Sequence, residues 1–338
     1  MTPMNALRFF RAVYADNDQR RENKRRIQED ALLYARNRVL QPLEWFASQW
    51  CRDRELPIVF IVGAPRSGTT LLYQLIARHL DVTYPNNFVA RYWLAPVLGM
   101  WRFERSYARE QSDIPLRSDF GGTKGPFSPH EFSWFWEFYT GFREVDDLSK
   151  DELDRIDWAT IRRELEGLSG YAGRPLVLKS LNYVVYNIHR FAEEFPTAKF
   201  LSIRRDPRFV VQSILESRRK RYGDESLWWT IRPRDYQAWL HRPALEQVCH
   251  QVDDIRRAIG HALAGLPGDR KLEITYEDLI ADPYAQLGRV ADLIGNVSLT
   301  HTEALRALDL QNGNVRRMSS VDLDAILEKT PHATGELG

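Results

Sequence analysis

Ile58-Val59-Phe60-Ile61-Val62-Gly63-Ala64-Pro65-Arg66-Ser67-Gly68-Thr69-Thr70 is the stretch that decides the fold. Its first five residues follow Pro57 and are continuously apolar and mostly β-branched, the pattern of a strand covered on both faces. Small residues then make a tight turn, and an apolar run predicts a helix over 69–80. Strand, glycine turn and helix in that order present backbone N–H groups to an anion, and the helix dipole favours the same charge. The spacing of Gly63 and Gly68 matches the first half of a Walker A loop, but Thr69 stands where that loop carries its lysine, with Thr70 after it. That lysine reaches the outer phosphates of ATP or GTP, so its absence argues against an ATPase, a GTPase or an ordinary kinase. The positive charge lies inside the loop instead, at Arg66, whose guanidinium fork can hold two oxygens of one anionic group.

Outward from this stretch, further strand-like runs occur at 176–178, 199–203 and 271–276, each separated from the next by helical sequence. This alternation predicts an α/β chain: a three-layer P-loop-type fold with a central, mostly parallel sheet flanked by helices. Asp206-Pro207 and Asp282-Pro283 each read as a helix start, with Asp as N-cap and Pro at the first helical position. Residues 16–50 read as one or two helices. The expected division is an N-terminal helical extension over 1–55, the main domain over 56–300 and a C-terminal segment over 301–338, frayed from about Thr330. The run from Arg20 to Arg26 mixes charges, and Glu22 with Arg26 fits an i,i+4 pair, so it reads as a solvated helix face rather than a nucleic-acid patch.

The 338 residues are 43% hydrophobic and 28% charged, as in ordinary globular proteins. A net charge of +1 gives no global drive toward nucleic acid or an acidic membrane, so any anion binding must come from locally placed arginines. Cys51 and Cys249 form neither a disulfide framework nor a zinc motif, and the eight histidines lack ligand spacing, so no metal is expected. The N-terminus lacks an apolar signal core and no segment has the length and character of a transmembrane helix, which predicts a cytoplasmic, soluble chain.

GAPRSGTTLL, starting at Gly63, resembles the 5′-phosphosulfate loop of the sulfotransferases that use 3′-phosphoadenosine 5′-phosphosulfate (PAPS). It is similar to the bacterial and tyrosylprotein-type branches, which carry arginine where the cytosolic branch carries lysine. The resemblance implies that Arg66, Ser67, Gly68, Thr69 and Thr70 wrap the 5′-phosphosulfate. The family's second motif is a strand ending in an arginine, followed by a helix with a serine eight residues on. Phe200-Leu201-Ser202-Ile203-Arg204-Arg205 and the segment through Ser213 reproduce it, with Arg205 and Ser213 as the implied 3′-phosphate ligands. Ile274-Thr275-Tyr276-Glu277-Asp278-Leu279 is a further family-like segment, so the resemblance covers about 56–296. Arg316 and Arg317, after Asn312-Gly313-Asn314, loosely resemble the basic loop that closes over the 3′-phosphate, although the fuller Gly-x-x-Gly pattern is missing.

Sulfonate transfer resembles phosphoryl transfer: charge spreads over equatorial oxygens while attacking and leaving oxygens lie in line. Lys179, ending the run at 176–178, matches a family lysine near the transferring group. It is assigned transition-state stabilisation with Arg66, and Asn182 is a weaker polar partner. The tyrosylprotein branch places its glutamate base soon after the first helix, but Tyr84-Pro85-Asn86-Asn87-Phe88 has no carboxylate there. The base is placed instead in Ser128-Pro129-His130-Glu131-Phe132, which resembles a Pro-x-Glu element of bacterial members, with Glu131 as first choice and His130 as second. Trp134, Phe135, Trp136 and Phe138, and Trp228-Trp229 with Arg232 and Arg234, either line the acceptor pocket or belong to the core. Arg218-Arg219-Lys220-Arg221-Tyr222 either attracts an acidic acceptor or is the solvated end of the Ser213 helix. The expected acceptor is a hydroxyl, or an amine as second choice, of a small molecule, carbohydrate or lipid. Homodimerisation is compatible with the sequence but has no signature in it. The rivals are an ATP-dependent P-loop phosphotransferase and a nucleotide-binding scaffold that has lost its base.

Overall fold

The computed structural model describes residues 22–108, 114–117, 122–141, 143–295, 297–318 and 320–334. The main helices and strands follow in chain order: α1 (Glu22–Cys51), β1 (Ile58–Val62), α2 (Thr69–His79), α3 (Pro96–Tyr107), α4 (Ser133–Thr140) and α5 (Trp158–Ala172), then β2 (Leu176–Lys179) and β3 (Lys199–Arg204). They continue with α6 (Pro207–Tyr222), α7 (Ala244–Ala264), β4 (Lys271–Thr275), α8 (Tyr276–Ala281), α9 (Pro283–Ile294) and α10 (Ser320–Lys329).

The four strands form one sheet in the order β2-β1-β3-β4, and every pairing is parallel. This is the α/β architecture expected from the sequence. The unbroken apolar character of β1 follows from its position, because alternate residues enter different cores. Ile58, Phe60 and Val62 face one core, where Phe60 meets Phe191, Phe195 and Phe200 at ring distances of 5.0–5.8 Å. Val59 and Ile61 face the other, with Leu72 and Ile76 of α2, Ile203 of β3 and Val290 of α9. Each such side chain contributes about 1.5–3 kcal/mol of burial, so a polar residue anywhere in β1 would be costly.

Because β2 and β3 lie on opposite sides of β1, the chain reverses direction across the sheet there. In parallel sheets such a switch point opens a crevice at the carboxyl ends of the strands. Here those ends lead into the 63–70 loop, Lys179, Arg205 and Tyr276.

The N-terminal extension is a single helix from Glu22, while residues 16–21 and the side chains of Glu22 and Arg26 lie outside the description. Two buried polar side chains clamp α1 to the body. Asn37 donates to the Arg91 carbonyl and accepts from the Leu94 N–H, at 2.9 Å each. The Glu44 carboxyl accepts from the N–H groups of Val97 and Leu98, capping the start of α3 from outside that helix. At the other end the expected fraying is corrected over 330–334. Thr330 is fully buried, Pro331–Thr334 is helical, and the His332 N–H donates to Asp253 at 2.7 Å. Residues 335–338 lie outside the description.

Candidate functional site

The loop after β1 is shaped by constraints that its residue types explain. A Cβ on Gly63 would lie 2.6 Å from the Ile203 carbonyl oxygen, so only glycine lets the loop pass over β3. Gly68 holds φ at +98°, and a Cβ there would meet the Tyr276 ring at 2.6 Å. Arg66 is left-handed at φ 69°, a conformation that costs a non-glycine residue about 1–2 kcal/mol. The Ser67 hydroxyl donates to the Ala64 carbonyl at 2.8 Å, so that side chain is spent on holding the turn.

The two anion motifs meet although they are far apart in sequence. Arg66 Nε donates to Ser213 Oγ at 2.9 Å, and one Arg205 nitrogen donates to the Arg66 carbonyl at 3.0 Å. Asp206 caps α6 by accepting from the Arg208 N–H at 2.9 Å, with Pro207 in the first turn, which sets the register that carries Ser213 toward Arg66. Two further Arg205 hydrogen bonds go to Asn314 Oδ1 at 2.6 Å and the Gly313 carbonyl at 2.7 Å, and the guanidinium lies 4.4 Å from the Tyr276 ring centre. All its hydrogen-bond acceptors are neutral. Burial lowers its pKa, and the nearby Arg66 acts in the same direction. A largely buried guanidinium beside a second one, at a helix N-terminus, suits a doubly charged anion.

Beside this lies a cavity of about 430 Å³. It is lined by Arg66, Gly68, Thr69 and Thr70 of the loop, by Arg205 and Tyr276, and by Glu131, Lys179 and Asn182. Lys179 closes β2 with only 3% of its side chain exposed, and its ammonium pairs with the Glu131 carboxylate. The Ser180 hydroxyl donates to the Glu131 backbone carbonyl at 3.1 Å and fixes that segment. Leu71, Leu116, Leu181 and Trp229 give the cavity an apolar part.

His130 is adjacent in sequence but turned to a structural task. Its Nδ1 accepts the Phe132 N–H at 2.9 Å, at a left-handed residue (φ 57°) that starts α4, and burial pushes its pKa down. It does not line the cavity. Arg316 is exposed and also outside the lining, whereas Gly313 and Asn314 of the same segment reach Arg205. Phe135 and Trp136 are buried core residues, which settles the choice left open for them. Trp229 and Arg221 line the cavity. The solvated-end reading of the basic run is corrected at Arg218, which is fully buried. Its guanidinium donates to Gln247 at 2.9 Å, and burial pushes its pKa to about 10. Tyr276, Glu277 and Asn314 have no role assigned from sequence, although all three lie in segments singled out there. Glu277 accepts from Asn314 at 2.7 Å and from the Asp206 N–H at 3.2 Å, joining the ends of β3 and β4 to the C-terminal segment.

A second polar layer backs the cavity. The Asn182 side chain hydrogen-bonds Asp146, whose carboxylate also accepts the Arg232 N–H at 2.7 Å, and burial pushes Asp146 up to about 6. Burial likewise pushes Glu137 up to about 7, against the opposing effect of the Tyr183 hydroxyl that donates to it. The unfolded carboxyl ionises at a lower pH than the folded one. The unfolded chain therefore binds fewer protons in that window, and stability falls as pH rises from about 4.5 to 7. Glu137→Gln should remove Glu137's share of this slope and stabilise the protein at pH 7.5 by at most about 3 kcal/mol. Thermal melts of both forms between pH 5 and 7.5 check this, and parallel slopes would contradict it.

The profile of the sulfotransferase family matches residues 57–297, the part of the chain that carries the sheet, the loop and the cavity. The chain belongs to the sulfotransferase family. Among curated proteins, the chain is similar to omega-hydroxy-beta-dihydromenaquinone-9 sulfotransferase Stf3 of Mycobacterium bovis, with 26% identity over 71% of the chain. The chain spans only 63% of that relative's length. Protein-tyrosine sulfotransferase of Drosophila melanogaster is 24% identical over 74% of the chain and 41% of its own length. The crystal structure of sulfotransferase STF9 from Mycobacterium avium has the same fold, with a TM-score of 0.58 at 14% identity, covering 96% of this chain and 90% of that one.

Among the described residues, no group of three or more His, Cys, Asp or Glu side chains is placed to hold a metal ion, and no helix is long and apolar enough to cross a membrane.

Proposed function

We propose that this sulfotransferase moves a sulfonate group from PAPS to a hydroxyl on a lipid-like acceptor. The reading rests above all on the buried Lys179 paired with Glu131 at the cavity formed by the 63–70 loop and Arg205. PAPS, when bound, supplies the sulfonate and a phosphate leaving group. The backbone N–H groups of the loop and the Arg66 guanidinium hold the 5′ end. Arg205, with Ser213 beside it through Arg66, holds the 3′-phosphate. With the donor bound, Lys179 would meet the charge that builds on the oxygen between phosphorus and sulfur as the S–O bond breaks. Glu131 takes the proton of the acceptor hydroxyl as its oxygen bonds to sulfur. The electron pair of the broken bond stays on the phosphate.

A lipid is favoured over a carbohydrate or polar small molecule because Leu71, Leu116, Leu181 and Trp229 line the same cavity as Lys179 and Glu131. The name of the mycobacterial relative, which specifies a hydroxylated menaquinone, supports the same class. The division into 1–55, 56–300 and 301–338, and a cytoplasmic location, belong to this proposal. The free thiols of Cys51 and Cys249 are in keeping with a reducing compartment.

The 3′-phosphate assignment is tested by calorimetric titration with 3′-phosphoadenosine 5′-phosphate. Arg205→Ala should weaken its binding by about 10- to 150-fold, the scale of a charged hydrogen bond of about 1.5–3 kcal/mol. Unchanged affinity would remove Arg205 from the site.

A further inference from the structure

The outer face of α1 is apolar over some 20 residues, about 30 Å of helix, and none of the described residues covers it. Leu32, Val39, Leu43, Phe46 and Trp50 are 74%, 75%, 61%, 66% and 91% exposed. Between 31 and 50 no exposed residue is charged, and Gln49 is the one polar side chain among them. The opposite face, with Tyr34, Asn37, Glu44 and Ser48, is buried against the body, so α1 carries two packing stripes of which the fold uses one.

We propose that this outer face is the surface on which a second copy of the chain docks, helix against helix. Three observations single out that occupant. The five residues follow each other at steps of 7, 4, 3 and 4, the repeat of about 3.5 that lets one helix seam interlock with another like it. A seam so nearly uniform is complementary to itself, as a two-fold interface requires. The exposed area is also sufficient. A buried aromatic contributes about 150–250 Å². Phe46 and Trp50 with three aliphatic residues therefore approach the roughly 800 Å² per partner of a stable interface. Such an area is larger than the apolar patch a typical monomer leaves in water, about 300–600 Å².

A membrane surface fits less well. A helix lying in a lipid interface carries lysine and arginine along the rim of its apolar face. Here the two arginines of this stretch turn back onto the protein. Arg36 donates to the Arg91 carbonyl at 2.6 Å and stacks 3.9 Å over Tyr92, and Arg38 donates to Gln41 at 2.7 Å.

Sedimentation equilibrium of the full chain at micromolar concentration tests the proposal. The unaltered protein should be a dimer, and the double variant Leu43→Glu, Phe46→Glu a monomer with unchanged far-ultraviolet circular dichroism. Leu43→Gln with Phe46→Gln, which carries no added charge, should shift the equilibrium the same way by at least tenfold. A monomeric wild type, or a folded variant pair that stays dimeric, would overturn the proposal. So would a wild type that is monomeric in solution and floats with phosphatidylglycerol vesicles.

Discussion

Lys179→Ala should lower kcat by about 10²- to 10³-fold, the usual loss when one donor aimed at developing charge is removed. The side chain is almost completely buried at the end of β2, and its charge is met by Glu131 alone among the hydrogen-bonding partners seen. In the proposed mechanism its ammonium would meet charge that develops on the bridging oxygen only as the S–O bond breaks, so its contribution would be made mainly in the transition state. Affinity for 3′-phosphoadenosine 5′-phosphate should change much less, because in the proposed reading the loop, Arg66 and Arg205 would make the ground-state contacts. The measurement is single-turnover transfer from labelled PAPS to a hydroxylated lipid acceptor, beside a calorimetric titration of the same variant. A kcat within fivefold of wild type, with the protein folded, would take Lys179 out of the chemistry.

Glu131→Gln should reduce kcat by about 10²- to 10⁴-fold in the same assay, the range attributable to a positioned general base. Glutamine keeps the shape and can still accept from Lys179, so the loss isolates the ability to take a proton. His130→Ala is the control that orders the two candidates. His130 is held by the Phe132 N–H and lies outside the cavity lining, so its loss should loosen the start of α4 and leave kcat within a few-fold of wild type. Full turnover in Glu131→Gln with a collapse in His130→Ala would reverse the assignment.

The parts of the fold legible in sequence are those whose cause is local. β1 reads as a doubly covered strand because each of its five residues enters a core, and the turn after it reads as an anion loop because two glycines and a helix start suffice. Asp206-Pro207 likewise announces the helix that carries Ser213. What remained hidden depends on contacts between distant segments. No local pattern says that the Ser67 hydroxyl turns inward to Ala64, or that Gly313 and Asn314, rather than the arginines after them, meet Arg205. Arg218 sits in a run that looks solvated, yet Gln247 and Gln251 of α7 draw it inside. The tail was read from composition, whereas Asp253 on α7 supplies the partner that orders His332. The Lys179–Glu131 pair spans 48 residues, so each residue was named as a candidate from its own segment while their contact became visible only in three dimensions.

The central claim is that the 63–70 loop and Arg205 together hold a nucleotide with phosphates at both its 3′ and 5′ positions. Calorimetric titration of the unaltered protein tests it directly, with 3′-phosphoadenosine 5′-phosphate in one experiment and adenosine 5′-phosphate or magnesium ATP in parallel ones. Saturable binding of the bisphosphate, with adenosine 5′-phosphate weaker by at least about tenfold for loss of one charged contact, is the predicted result. Magnesium ATP that binds while the bisphosphate gives no heat would contradict it.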